Sequence, residues 1–173
     1  MGYAVAKPPY VSARKRMDLS RLKWTKNIKD ENRWAYETHV MEFPDARIFA
    51  LHWKPKEEVN ANEPQEGDLL LLHQRARVTH LVKVLDNQVS QARQPDDWNY
   101  RVVKAVWMPP SGKDWYTLPH QKDIFGFEIF IMNGLVHNLE VPGKMAHFHE
   151  TWDSQGGLTA FQQYLAGELA KIS

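Results

Sequence analysis

The sequence predicts an α+β fold: a small antiparallel β-barrel or strongly curved sheet flanked by helices, with an amphipathic helix at the C-terminus. Three observations lead there. Apolar residues recur with period two in several runs after Arg47. Two of those runs are joined by only two residues, a connection that suits an antiparallel hairpin. The last stretch changes to three- and four-residue spacing. Strands do not alternate with helices, so a doubly wound parallel sheet is not expected.

Taken in order, residues 1–16 read as a loose basic N-terminal arm, and residues 17–173 as a single domain. "DLSRLKWTKNIK" (18–29) reads as a helix capped by Asp18 or Ser20. "NRWAYETHVMEF" reads as a short helix or turn before Pro44. "RIFALHWK" is a strand, with Phe49, Leu51 and Trp53 on one face and Ile48, Ala50 and His52 on the other. Pro55 ends it. "KEEVNANEPQEG" is a loop or a single helical turn. "DLLLLHQ" and "RVTHLVKVLD" form the hairpin. "NQVSQARQPDDWN" is a loop, and "YRVVKAVWM" is a strand stopped by Pro109 and Pro110. "SGKDWYTLPHQ" is a loop. "DIFGFEIFIM" reads as a further strand ended by an Asn-Gly turn, with "LVHNLEV" as its partner. Leu158, Phe161, Leu165 and Leu169 mark the final helix.

The chain has 173 residues, enough to bury a core without staples. It has no cysteine, which excludes disulfide frameworks, thiolate metal sites and thiol nucleophiles. No apolar run approaches the ~20 residues of a membrane-spanning helix. Pro8 and Pro9 stand where a secretion signal would have its apolar centre. The expected setting is cytoplasmic, with no membrane partner. Net charge is +1, yet Lys7 to Lys29 holds eight basic residues against one acid, Asp18. Two readings stand for this segment: a polyanion contact, or a solvated arm.

Motif chemistry is sparse. There is no G-x-S-x-G, Walker, G-x-G-x-x-G or H-E-x-x-H pattern. In "HFHE", His147 and His149 would share one side of a strand, but no third metal ligand accompanies them. No metal or cofactor is expected. The hairpin crest is richer. His73 ends the first strand, Arg75 and Arg77 occupy the turn, and Thr79 and His80 begin the return. Arginines on a tight turn can fork to phosphate oxygens, and His and Thr can hydrogen-bond a base edge. The bland alternative is a tip kept soluble by charge, with His80 satisfied in the core. Seven tryptophans are many for this length. Trp53 and Trp107 stand at strand ends and could sandwich a planar base, where stacking contributes ~1–3 kcal/mol; the competing reading makes both core residues.

"RIFALHWKP", "EGDLLLLHQ", "RVTHLVKVLD" and "YRVVKAVWMP", in that order, resemble the core of EVE domains, members of the PUA-like superfamily with YTH, ASCH and SRA modules. The likeness covers roughly residues 47–110 and, more loosely, "FGFEIFI". It implies a small β-barrel with helices around it. It also implies a base-binding pocket from His52, Trp53 and Lys54 at the first strand's end and His73, Gln74 and Arg75 at the second's, with Trp107 nearby; the hairpin reading adds Thr79 to it. About 46 residues precede the first matched strand, a departure from the family pattern, and Trp24 or Trp34 could substitute in an aromatic cage.

The reading favoured is a non-catalytic nucleic-acid-binding module that recognises a plain or modified base, with Arg14, Lys15, Arg16 and Arg77 on the backbone phosphates. Two other classes stay open. One is an ASCH-like nuclease or hydrolase using His73, His80 and Lys54 or Lys83 as acid and base. The other is an adaptor that binds a protein through the C-terminal helix.

Overall fold

The computed structural model describes residues 17–37, 47–92 and 96–172. The arm over residues 1–16, with Arg14, Lys15 and Arg16, therefore lies outside the described residues. Among the described residues the elements run β1 Leu22–Asn27, β2 Ile48–Trp53, α1 Glu58–Ala61, β3 Leu69–Gln74, β4 Arg77–Val84, β5 Ser90–Gln91, β6 Asn99–Trp107, α2 Gln121–Phe125, β7 Val136–Asn138, α3 Phe148–Trp152 and α4 Gly157–Ala170.

The strands form one curled sheet in the order β2-β6-β4-β3-β1-β7, with β5 beside β6. The sheet curls into a half-barrel. The β3–β4 hairpin forms as expected, with Leu70 opposite Val82 and Leu72 opposite His80. Its turn residues Arg75 and Ala76 both have positive φ, 51° and 62°. That conformation matches the twist of the two strands, and it strains side chains that carry a Cβ. β3 is buried along its whole length, and β6 alternates inward Arg101, Val103, Ala105 and Trp107 with outward Tyr100, Val102 and Lys104.

Three expectations are corrected. Residues 22–27 form a strand, not a helix, and β1 runs parallel to β3, so the sheet is mixed rather than antiparallel. Asp68 fixes this register: it accepts from Arg21 Nη2 at 2.7 Å, Trp24 Nε1 at 3.0 Å and the Gln65 backbone at 2.9 Å. Second, "DIFGFEIFIM" is not a ladder strand. Ile124 and Phe125 close α2, Gly126 ends it at φ 85°, and residues 127–132 run outside any strand. Phe127, Ile129 and Ile131 still point inward, while side chains bond the carbonyls: Gln121 to Ile129, Lys144 to Phe130 and Lys29 to Met132. Third, "LVHNLEV" supplies β7, which pairs with β1 rather than with the segment before it.

α4 buries Phe161, Leu165 and Leu169 fully. Phe161 stacks on Phe125 at 5.2 Å and meets Phe148 and Trp152 edge-on, so α4 packs against α2 and α3. Gln162 donates to the Leu22 carbonyl at 3.1 Å and ties the helix to β1. The helix's apolar face is thus spent within the chain. No helix among the described residues is long and apolar enough to cross a membrane.

The two edges of the half-barrel meet through side chains. Asn60 Oδ1 accepts from Trp53 Nε1 at 2.8 Å and from the Val136 backbone at 2.7 Å, while its Nδ2 donates to the Val136 carbonyl at 3.0 Å. The Asn60 amide thus imitates a peptide unit of a missing strand between β2 and β7.

Candidate functional site

The expected pocket does not assemble as drawn. Trp53 is 1% exposed and Trp107 is 5% exposed. Trp53 pairs with Asn99 at the start of β6, and Trp107 is the last residue of that strand. They are on the order of 25 Å apart along it, at ~3.3 Å per residue. No base can lie between them, and both are core residues. Trp24 is also core, held by Asp68.

The crest residues are occupied by the chain itself. The Arg75 guanidinium lies over the Trp34 ring at 4.7 Å and donates to Tyr116 Oη at 2.9 Å. Arg77 donates to the Leu118 carbonyl at 3.1 Å. Gln74 is buried: it accepts from the Ala35 N–H at 2.9 Å and donates to the Asp30 and Arg33 carbonyls at 3.2 and 2.9 Å. His80 uses both ring nitrogens, one with Thr79 Oγ1 and one with the Tyr36 carbonyl, each at 3.0 Å. Thr79 turns towards the Leu72 carbonyl inside the sheet. The crest thus works as the anchor of the loop after β1: Gln74, Arg75 and His80 together fix residues 30–36.

That loop builds the cleft that does form. Ile28 to Tyr36 on one side, and β2, Trp98, Tyr100 and Val102 on the other, enclose about 620 Å³ open to solvent. This volume lies within the range of small-molecule sites. Its floor is the free edge of β2, which among the described residues pairs only with β6. The bond from the Ala105 N–H to the Arg47 carbonyl sets the ladder phase, so the N–H and C=O groups of Ile48, Ala50 and His52 point away from β6. The Tyr36 hydroxyl accepts the His52 N–H at 3.1 Å. By the same phase the Ala50 N–H faces the cleft.

One wall is aromatic. The His52 ring lies 6.5 Å from Trp98 and 6.0 Å from Tyr100, and Tyr36 stacks on Phe49 at 4.5 Å. Lys29 and Arg33 stand on the rim with Asp30 and Asp96. Burial pushes the Tyr36 phenol up to about 12, so it stays protonated and keeps a donor. Burial, and then the nearby Lys26 ammonium, hold the His52 imidazole below its usual value, so it is neutral at pH 7. Of the expected pocket, only His52 lines this cleft. Lys54 is exposed beyond the end of β2.

A second polar group is buried in the sheet. Lys26 is 2% exposed; its ammonium lies 4.5 Å above the Trp53 ring and donates to the Gly134 carbonyl. His73 is 1% exposed, and neither of its ring nitrogens has a partner among the described residues. Burial lowers Lys26 to about 7 and His73 to about 3. The set imagined for hydrolysis is not gathered: His80 is fully bonded, Lys54 and Lys83 are exposed, and none of these lines the cleft with His52. His147 and His149 lie on α3 and its cap, each bonded to its own acid, Glu150 and Asp153, at 2.9 Å.

Sequence reasoning missed Tyr36, Trp98 and Tyr100. A signal existed: in "DDWNYRVV", Trp98, Tyr100 and Val102 share one face by period two, opposite to the inward set. No family model, curated protein or solved structure matches this chain.

Proposed function

We propose that the protein is a non-catalytic nucleic-acid-binding module that takes one base, plain or modified, into the cleft at the free edge of β2. The observation that carries this reading is the wall of His52, Trp98 and Tyr100 facing an open strand edge. Rings can hold the flat face of a base, each stacking contact contributing ~1–3 kcal/mol. The Ala50 N–H and the Tyr36 O–H can meet its hydrogen-bonding edge. Lys29 and Arg33 on the rim can approach the flanking phosphates. A strongly curled sheet flanked by helices agrees with the coarse outline that the PUA-like resemblance implies, though the sheet is a mixed half-barrel rather than a closed barrel.

The test is a fluorescence-anisotropy titration of labelled single-stranded DNA and RNA, with and without base methylation, at 50 and 200 mM salt. Affinity should fall with salt in proportion to the phosphates contacted, with a slope near −0.7 per phosphate for single strands. Trp98→Ala should weaken binding by roughly tenfold or more, the loss expected of one stacking contact. If no oligonucleotide binds at 50 mM salt, the reading fails.

A further inference from the structure

The seam between β2 and β7 raises a separate question, because a lysine is built into it. Among the described residues, two strand edges are joined there through side chains: Asn60 bridges the Trp53 indole to the Val136 backbone, and Lys26 spans from the Trp53 ring to the Gly134 carbonyl. We propose that Lys26 and Asn60 form an acid-opened latch across the β2–β7 seam, behind which the unpartnered His73 imidazole is sealed. This goes beyond the base-binding reading and stands independently of it.

The argument starts from charge. An ammonium has three donors. The structure gives this one a carbonyl and a ring face, with 2% of the residue exposed. A buried cation with so few partners is costly, and the cost disappears either by losing the proton or by letting in water. Most of the groups around it are bases. His52 on β2, His73 on β3 and His137 on β7 are all bases whose fields reach Lys26 or are reached by it. Lys144 adds a further positive field at His137. Glu57, next to α1, is the acid whose field favours the ammonium. Every imidazole that gains a proton as pH falls therefore adds like charge to the lining.

The direction follows. Lys26 has its proton below about 7 and loses it above. At pH 8 the neutral amine still donates to the Gly134 carbonyl, the Asn60 bridge closes over it and His73 stays dry. At pH 6 the seam holds a charge, and opening between Asn60 and Val136 hydrates it. His73 is then reachable from solvent.

The experiment is hydrogen–deuterium exchange by NMR on the full chain between pH 6 and pH 8, corrected for intrinsic exchange, read at the Val136 amide and the Trp53 indole N–H. Protection of both should be about tenfold lower at pH 6 than at pH 8, falling as pH drops towards about 7 and levelling off below it. Lys26→Met removes the charge and should keep protection high at both pH values. Lys26→Gln, which retains a donor for Gly134, should behave the same way and serves where the Met variant does not fold. Equal protection at pH 6 and pH 8 in the parent protein would overturn the proposal. So would an unchanged transition in either variant.

Discussion

The Tyr36 hydroxyl accepts the His52 backbone N–H at 3.1 Å, and the Tyr36 carbonyl meets His80 Nε2 at 3.0 Å. One residue thus pins the loop after β1 both to the free edge of β2 and to the inside of β4. Tyr36→Phe removes the hydroxyl and leaves the His52 N–H without its partner. A loss of ~1–3 kcal/mol is expected from such an unmet group. Urea denaturation measures it, and base binding should weaken with it.

Asn60 offers a sharper stability test. Asn60→Ala leaves the Trp53 indole N–H and the Val136 N–H and carbonyl without their bonds. The expected cost is about 3 kcal/mol, a few unmet polar groups at ~1–3 kcal/mol each. A melting temperature within a degree of the parent's would show that the edges of the half-barrel do not depend on this bridge.

The hairpin turn predicts a gain. Ala76 has φ 62°, a region that costs a residue with a Cβ ~1–2 kcal/mol. Glycine adopts it freely but loses more entropy on folding, so Ala76→Gly should stabilise by roughly 0.5–1 kcal/mol. Arg75→Gly relieves the same kind of strain but forfeits the contacts with Trp34 and Tyr116, and should be neutral or destabilising. Parallel urea titrations separate the two.

Two buried imidazoles set the acid limb of stability. Burial lowers His73 to about 3 and His80 to about 4, against an unfolded value of 6.5. Between 6.5 and those values the unfolded chain binds the protons and the folded chain does not, so stability falls as pH drops through that window. Each group adds ~1 kcal/mol per pH unit to the slope. His73→Leu should remove about half of the histidine contribution between pH 6 and pH 4.5. Lys26 acts on the other side: stability rises as pH climbs from about 7 towards 10.5.

The parts of this fold that the sequence made legible are those where one physical rule acts alone. Period two placed β2 and β4, a β-branched run stopped by Pro109 and Pro110 placed β6, and the short Arg75–Ala76 link placed the hairpin. Three- and four-residue spacing placed α4. β1 stayed hidden because Thr25 and Lys26, polar residues buried by sheet pairing and by the seam, break its alternation. Residues 127–132 misled in the opposite way: their alternation is real, but lysine and glutamine side chains take carbonyls that a neighbouring strand would have used.

The candidate site was less legible than the fold. The alternation that put Trp53 with Phe49 and Leu51 already sent its indole inward, and the same rule sends Trp107 in with Val103 and Ala105. His52, on the opposite face of β2, is the residue that carried over. Tyr36 reaches the cleft through a loop whose path depends on Gln74, Arg75 and His80, contacts between residues about forty positions apart that no local pattern encodes.

The cleft at β2 carries the central claim, and shift mapping tests it most directly. A ¹H–¹⁵N spectrum of the labelled protein, titrated with plain and methylated nucleosides, reports on each indole and strand separately. The account predicts that signals of Tyr36, Ala50, His52, Trp98 and Tyr100 move together and saturate, while the Trp107 indole stays still. Shifts centred on Trp107 and Pro109, or none at saturating nucleoside, would contradict it.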